Sequence, residues 1–297
     1  MLVGLLNINK PSGMTSRRVV DIVTRLAGTK RVGHAGTLDP LATGVLVVCL
    51  GWATRLVTFV QERPKAYSAR FLLGRRSNTD DATGDVFETL GAVAPARAQI
   101  EELLQTFAGT IQQVPPQFSA VHVDGKRAHQ VARKGKTVCI EPRPVTIHRI
   151  ALVDYMYPQL DVDIECGSGT YVRSIGRDLG NALGCGAVMS ALVRRSIGEF
   201  TLESAHTPEE LGPEKITGKI VDFLLPPLRA VAHLPRFVCA PADRSELARG
   251  RQLPCAAIAN WKIDLPVAIV DPDENLLALA EYDDARKLLQ PRQVYVP

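Results

Sequence analysis

The 297-residue chain has no uninterrupted apolar run near the roughly 20 residues a membrane-spanning helix needs, so a helical membrane protein is excluded. Residues 1–13, MLVGLLNINKPSG, carry no basic lead and too short an apolar stretch for a secretory signal. The expectation is a cytoplasmic protein. Cysteines are few, and Cys49, Cys139, Cys166, Cys185, Cys239 and Cys255 form no Cys-x-x-Cys pair and no zinc-ligand spacing with histidine. A disulfide framework does not suit a chain this long and apolar, so they read as reduced thiols in a protein without metal. Nucleotide-binding loops are missing too. Gly13 is not followed by Gly-Lys-Ser/Thr, and the third glycine of a fingerprint begun at Gly167 and Gly169 would fall at Val172. ATP and nicotinamide chemistry therefore have no support, and no cofactor is expected. No Gly-x-Ser-x-Gly elbow is present for a serine hydrolase. The acidic loop Asn78–Asp85 invites calcium, but counting back from Gly84 puts Thr79 at the first ligand position and Leu90 at the closing glutamate. There are no repeats.

What is present is an ordinary globular composition, 46% hydrophobic and 22% charged, with a net charge of +4. Its distribution is uneven. Residues 1–34 hold six basic and one acidic residue, residues 112–143 hold six and two, and residues 230–297 hold eight and nine. Two basic segments far apart in sequence suggest a polyanion footprint outside the C-terminal part. Periodicity predicts a strand at Leu5–Asn9, then a helix capped by Thr15 or Ser16 and ending near Gly28. Further expectations are a helix at Thr54–Glu62, a strand at Ala66–Leu73 and a helix at Arg97–Phe107. Strands at Val145–Val153 and Leu160–Cys166, then a helix ending near Gly184 and a buried element at Ala187–Arg194, complete the larger part. The basic stretch 112–143 reads as a ligand-gripping arm, 207–235 as a linker of short helices, and the remainder as a small β-rich module.

Chemistry concentrates in Gly33–Gly44, GHAGTLDPLATG, which leads into the apolar run Val45–Leu50. Three glycines and a proline preclude a regular helix or strand there. Such a loop either starts an Asp-Pro turn or presents the Asp39 carboxylate.

Six motifs in order decide between these readings. They are Lys10-Pro-Ser-Gly-Met-Thr-Ser16, Gly33–Gly44, Lys65-Ala-Tyr67, Asp81-Ala-Thr-Gly84, Gln113-Val-Pro-Pro116 with Ser119-Ala120, and Gly169-Thr-Tyr-Val-Arg173. Over roughly residues 4–200 the chain resembles the TruB family of tRNA pseudouridine synthases. The resemblance implies an α+β fold, a mixed and mostly antiparallel sheet flanked by helices. It also implies a catalytic domain over 1–230 with an RNA-clamping insertion at about 112–143, and a PUA-like RNA-binding module over 231–297.

By the same resemblance the activity is conversion of uridine to pseudouridine at position 55 in the T-arm loop of tRNA. The enzyme would act as a monomer with no required protein partner. Asp39 is then the catalytic aspartate and Arg173 its ion-pair partner. Tyr67 lies against the base and assists proton removal. His34 fills the space left by the flipped nucleotide. Tyr171 and Leu192 line the pocket, while Lys10, Asp81, Lys126 and Arg133 join the substrate-binding set. Phe118, His122 and His129 depart from the family pattern, where Tyr, Lys and Tyr are common. Two other readings share the scaffold: a non-catalytic tRNA-binding or folding factor, and an RNA-guided synthase subunit. Asp39, Tyr67 and Arg173 together argue against the first, and the basic arm against the second.

Overall fold

Side chains alternate across a strand, and that alternation lets one sheet carry two cores. The computed structural model describes residues 2–119, 121–123, 125–132, 135, 138–212, 219–259, 261–262 and 265–296. β1 (Gly4–Lys10) leads through α1 (Ser16–Ala27) and β2 (Val32–His34) to β3 (Thr43–Leu50). β3 runs antiparallel to β1, with Ile8 opposite Leu46 and Lys10 opposite Gly44. Leu6, Ile8, Leu46 and Val48 meet Val19, Ile22, Val23 and Leu26 of α1. On the opposite face, Leu5, Val45, Val47 and Cys49 pack on Ala53, Leu56 and Val60. Thr15 caps α1 by accepting from Arg18 N at 3.1 Å, and Gly28 closes it with a left-handed φ of 61°.

Where one helix was expected at Thr54–Glu62, a tighter 3-10 turn, Gly51–Leu56, runs into the short α2 (Val57–Gln61). The Thr54 hydroxyl bonds back to Gly51 O at 2.8 Å, a local bond that competes with the helix ladder. β4 (Lys65–Leu73) follows, then a hairpin of β5 (Arg75–Ser77) and β6 (Val86–Glu88) that encloses the Asn78–Asp85 loop. Next come α3 (Arg97–Gln105) and β7 (Gly109–Gln113). The basic arm holds a small hairpin, β8 (His122–Val123) with β9 (Lys126–Arg127), and α4 (Ala128–Ala132). β10 (Arg143–Met156), β11 (Gln159–Cys166), α5 (Val172–Ala182), β12 (Ala187–Ile197) and β13 (Phe200–Thr201) complete the first sheet. Its order is β1-β3-β12-β4-β11-β10-β7, with β2 on β3 and β13 on β12. Every pairing is antiparallel except β3 with β12.

A second, five-stranded sheet contains β14 (Arg236–Val238), β15 (Leu253–Pro254), β16 (Val267–Val270), β17 (Leu276–Asp283) and β18 (Leu288–Val294). It is docked on the first. Ala268, Val270 and Leu279 share a core with Leu5, Val45 and Leu56, and Tyr295 stacks on Trp52 with ring centroids 4.3 Å apart. The stretch read as a linker is packed as well. Leu211 and Ile220 are fully buried against the α1 side, and Leu225 exchanges backbone hydrogen bonds with Leu5.

Candidate active site

The Asp39 loop is held from below by the motif that precedes α1. Ser16 Oγ, nearly inaccessible to solvent, donates to Leu38 O at 3.0 Å and accepts from Leu38 N at 2.8 Å. Gly13 N donates to Pro40 O at 2.8 Å, and the Ser12 hydroxyl to Leu41 O at 3.3 Å. Lys10 Nζ donates to Pro11 O, Met14 O and Pro40 O at 2.9, 2.7 and 3.4 Å. Two motifs twenty residues apart are thus one structural unit. Gly44 ends the loop at φ 99°, and a Cβ there would lie 2.2 Å from Arg194 O, so only glycine lets β12 approach.

Arg173 reaches Asp39 from the first turn of α5. Gln113 of β7 fixes that helix start: its Nε2 donates to Tyr171 O at 3.1 Å, and its Oε1 accepts from Tyr171 N at 2.8 Å. The helix lies unusually close to the sheet, since a Cβ on Gly176 would fall 2.4 Å from the Phe71 ring. Arg173, with a side chain only 6% exposed, places Nε 2.9 Å from Asp39 Oδ2 and donates from Nη2 to Asp39 Oδ1 at 3.2 Å. That is a bidentate pair. The same guanidinium donates to Thr79 O at 2.9 Å and Phe118 O at 3.1 Å, and stands 3.7 Å from Asp81 Oδ2.

A cation this near lowers a carboxyl pKa, yet at Asp39 the balance falls the other way. Burial pushes the carboxyl above its ordinary value, Arg173 opposes that rise, and Asp81 adds to it. One third of the Asp39 side chain, 33%, still reaches a cavity of about 850 Å³. Tyr67, Leu192, His34, Tyr171 and Arg194 also line it. Tyr67 is nearly buried on β4, and desolvation raises its phenol pKa while Arg194 pulls it down. Burial lowers the His34 pKa, with Arg194 and Arg17 reinforcing the effect, and its Nδ1 has no hydrogen-bond partner among the described residues. The Tyr171 ring carries the Arg143 guanidinium 5.1 Å above its centroid.

The cavity therefore gathers Asp39, Arg173, Tyr67, His34, Tyr171 and Leu192 from four separate segments. Lys10 and Asp81 belong behind this surface, not on it. Lys10 is fully buried with its ammonium spent on three carbonyls, and burial brings its pKa down to about 8. Asp81, 4% exposed, accepts from Thr79 Oγ1, Thr83 N and Thr83 Oγ1 at 2.7, 3.0 and 2.6 Å. Arg133 and the side chains of Lys126, His122 and His129 lie outside the described residues. Phe118 meets the site through its carbonyl, so the departure from Tyr leaves that bond intact. Ser16, Gln113 and Lys65 stood in the motifs and Arg194 in a predicted buried element, but the sequence reading gave none of them a place in the site. Arg194 had a detectable signal: it shares the strand face of Leu192, where a charge is out of place. Among the described residues no three His, Cys, Asp or Glu are grouped to hold a metal.

Comparison with known proteins bears on the family of the chain. Residues 24–172 match the TruB family pseudouridylate synthase (N terminal domain), and residues 173–232 match the tRNA pseudouridylate synthase B C-terminal domain. The chain is 40% identical to tRNA pseudouridine synthase B of Arthrobacter sp. (strain FB24), covering 100% of this chain and 98% of that protein. It is also 40% identical to the protein of that name from Dehalococcoides mccartyi (strain CBDB1), covering 94% and 92%. Among solved structures it is similar to a chain of a Cbf5-Nop10-Gar1 complex, with a TM-score of 0.76 at 26% identity over 99% of this chain and 85% of that one.

Proposed function

The chain belongs to the TruB family of pseudouridylate synthases, and from that membership and its cavity we propose that it isomerises uridine to pseudouridine in tRNA. The target is position 55 in the T-arm loop. The bidentate Asp39–Arg173 pair at the cavity wall carries this reading. The reaction breaks the N1–C1′ bond, turns the uracil and forms a C5–C1′ bond; C5 loses a proton and N1 gains one. Nothing is oxidised and no group is donated, so the residues themselves suffice.

A base inside a folded loop must first leave its stack. His34 stands at the cavity wall where a neighbouring base can rest on it, an interaction worth about 1–3 kcal/mol. Tyr67 and Leu192 then face the flipped uracil, and Asp39 faces its ribose. Attack at the anomeric carbon and removal of a ribose proton both require Asp39 ionised. Burial works against ionisation and Arg173 sustains it. Arg173 also holds the carboxylate at a fixed angle, which a lysine cannot do.

The relatives named tRNA pseudouridine synthase B, at 40% identity, are nearer than the 26% identical chain of the Cbf5 complex, which favours an enzyme acting alone. The same reading makes it a cytoplasmic monomer, in keeping with six free cysteines of which five are buried. The C-terminal module, PUA-like in this reading, and the 112–143 arm add RNA contacts beyond the cavity.

The test uses purified protein and a tRNA transcript labelled at uracil C5. Wild type should release one equivalent of label, and none from a transcript carrying cytidine at position 55. Asp39→Asn should slow release at least about 10²-fold, the lower range for a positioned acid–base group. Absence of release from wild type refutes the enzyme reading, and undiminished release from Asp39→Asn refutes the role of the carboxylate.

A further inference from the structure

Arg194 is the side chain in this site whose purpose the reaction has not yet used. It is 1% exposed, and among the described residues it has no carboxylate at ion-pair distance. A buried cation without a counter-charge is costly to keep. Its bonds explain where it is held. Nε donates to Val45 O at 2.7 Å and Nη2 donates to Gly36 O at 3.0 Å. Gly36 precedes Asp39 by three residues and Val45 follows it by six, so one guanidinium spans both flanks of the Asp39 loop. Backbone pairing ties the same residue to Gly44 on β3 and to Tyr67 on β4. Tyr67 is its directly opposite cross-strand partner, the geometry in which side chains on one sheet face touch. The Arg194 charge draws the Tyr67 phenol pKa down against the rise that burial imposes. Both residues line the cavity.

We propose that Arg194 is a positioning residue for the isomerisation: it braces both flanks of the Asp39 loop and sets a positive charge beside Tyr67. Arg194 acts through these two groups. Its two hydrogen bonds leave from different nitrogens of one planar fork, so a single-point cation cannot replace it fully. The inference rests on the proposed isomerase activity.

The experiment compares Arg194→Lys and Arg194→Gln with wild type in three measurements: melting temperature, tRNA dissociation constant, and single-turnover release of C5 label. Expected are dissociation constants within twofold of wild type and a single-turnover rate at least tenfold lower in Arg194→Gln. Arg194→Lys should recover part of that loss, because it restores the charge beside Tyr67 without the fork. A purely structural residue would show no such ordering at constant affinity. Wild-type rates in both variants, equal rates in Lys and Gln, or loss of rate matched by loss of tRNA affinity would each overturn the proposal. So would failure of both variants to fold, which would make Arg194 a folding residue only. If wild type itself releases no label, the isomerase reading fails first, and the two failures are told apart.

Discussion

Replacing Arg173 by lysine should separate charge from geometry at the catalytic carboxylate. The guanidinium touches both Asp39 oxygens, at 2.9 and 3.2 Å, and the carbonyls of Thr79 and Phe118. A lysine ammonium keeps the charge but can meet only one Asp39 oxygen from that helix position. One hydrogen bond to a charged group is worth about 1.5–3 kcal/mol. If it orients Asp39 in the transition state, its loss slows the reaction about ten- to 150-fold. Arg173→Met goes further by removing the charge that stands between Asp39 and Asp81, two carboxylates that each lie within 4.0 Å of it. The Asp39 pKa, already raised by burial, then rises again. An acid with a higher pKa stays protonated to higher pH. The acid limb of the rate profile in Arg173→Met should therefore move upward, and alkaline buffer should restore part of the activity. Single-turnover release of C5 label across the neutral range measures both effects. A lysine variant within threefold of wild type, or a methionine variant whose acid limb does not move upward, refutes this account of the pair.

Two further outcomes follow from the packing. Gly176→Ala would drive a methyl into the Phe71 ring, where the added carbon lies 2.4 Å from the nearest ring atom. Overpacking of this kind costs about 1–3 kcal/mol. A lowered melting temperature together with slower label release checks it, since α5 carries Arg173; an unchanged melting temperature contradicts the close approach. Lys10 has a folded pKa of about 8, below the ordinary 10.5, so the unfolded chain holds that proton more tightly. Its penalty is full below pH 8 and fades as the pH climbs toward 10.5. The stability advantage of wild type over Lys10→Met should grow across that window, by up to ~1.4 kcal/mol per pH unit. Denaturant melts at pH 7, 8.5 and 10 measure it, and an advantage that shrinks with pH contradicts the buried-lysine reading.

Much of this protein was written locally. The Thr15 cap, the Gly28 stop and the alternation in Ala66–Leu73 each depend on neighbours a few residues away, so periodicity and turn chemistry located them closely. The order of the six motifs likewise pointed to Asp39, Tyr67 and Arg173. Other features depend on groups far apart in the chain. The Asp39–Arg173 bond joins residues 134 apart, and it forms because Gly176 lets α5 settle onto Phe71. Whether Lys10 and Asp81 face substrate or brace the loop behind it could not be read from residue type, since only burial and bonding partners distinguish the two. Leu211 and Ile220 of the expected linker proved to be packed against the apolar face of α1, and no local pattern tells which distant segment covers that face. Arg194 is the clearest case. Strand alternation places it on the core side beside Leu192, yet its meaning depends on the register that sets it opposite Tyr67 and against Gly44. Local sequence thus determined which chemical groups the protein owns and most of the elements that carry them. Tertiary packing decided which of those groups share one cavity, because register and helix approach are set by contacts between distant segments.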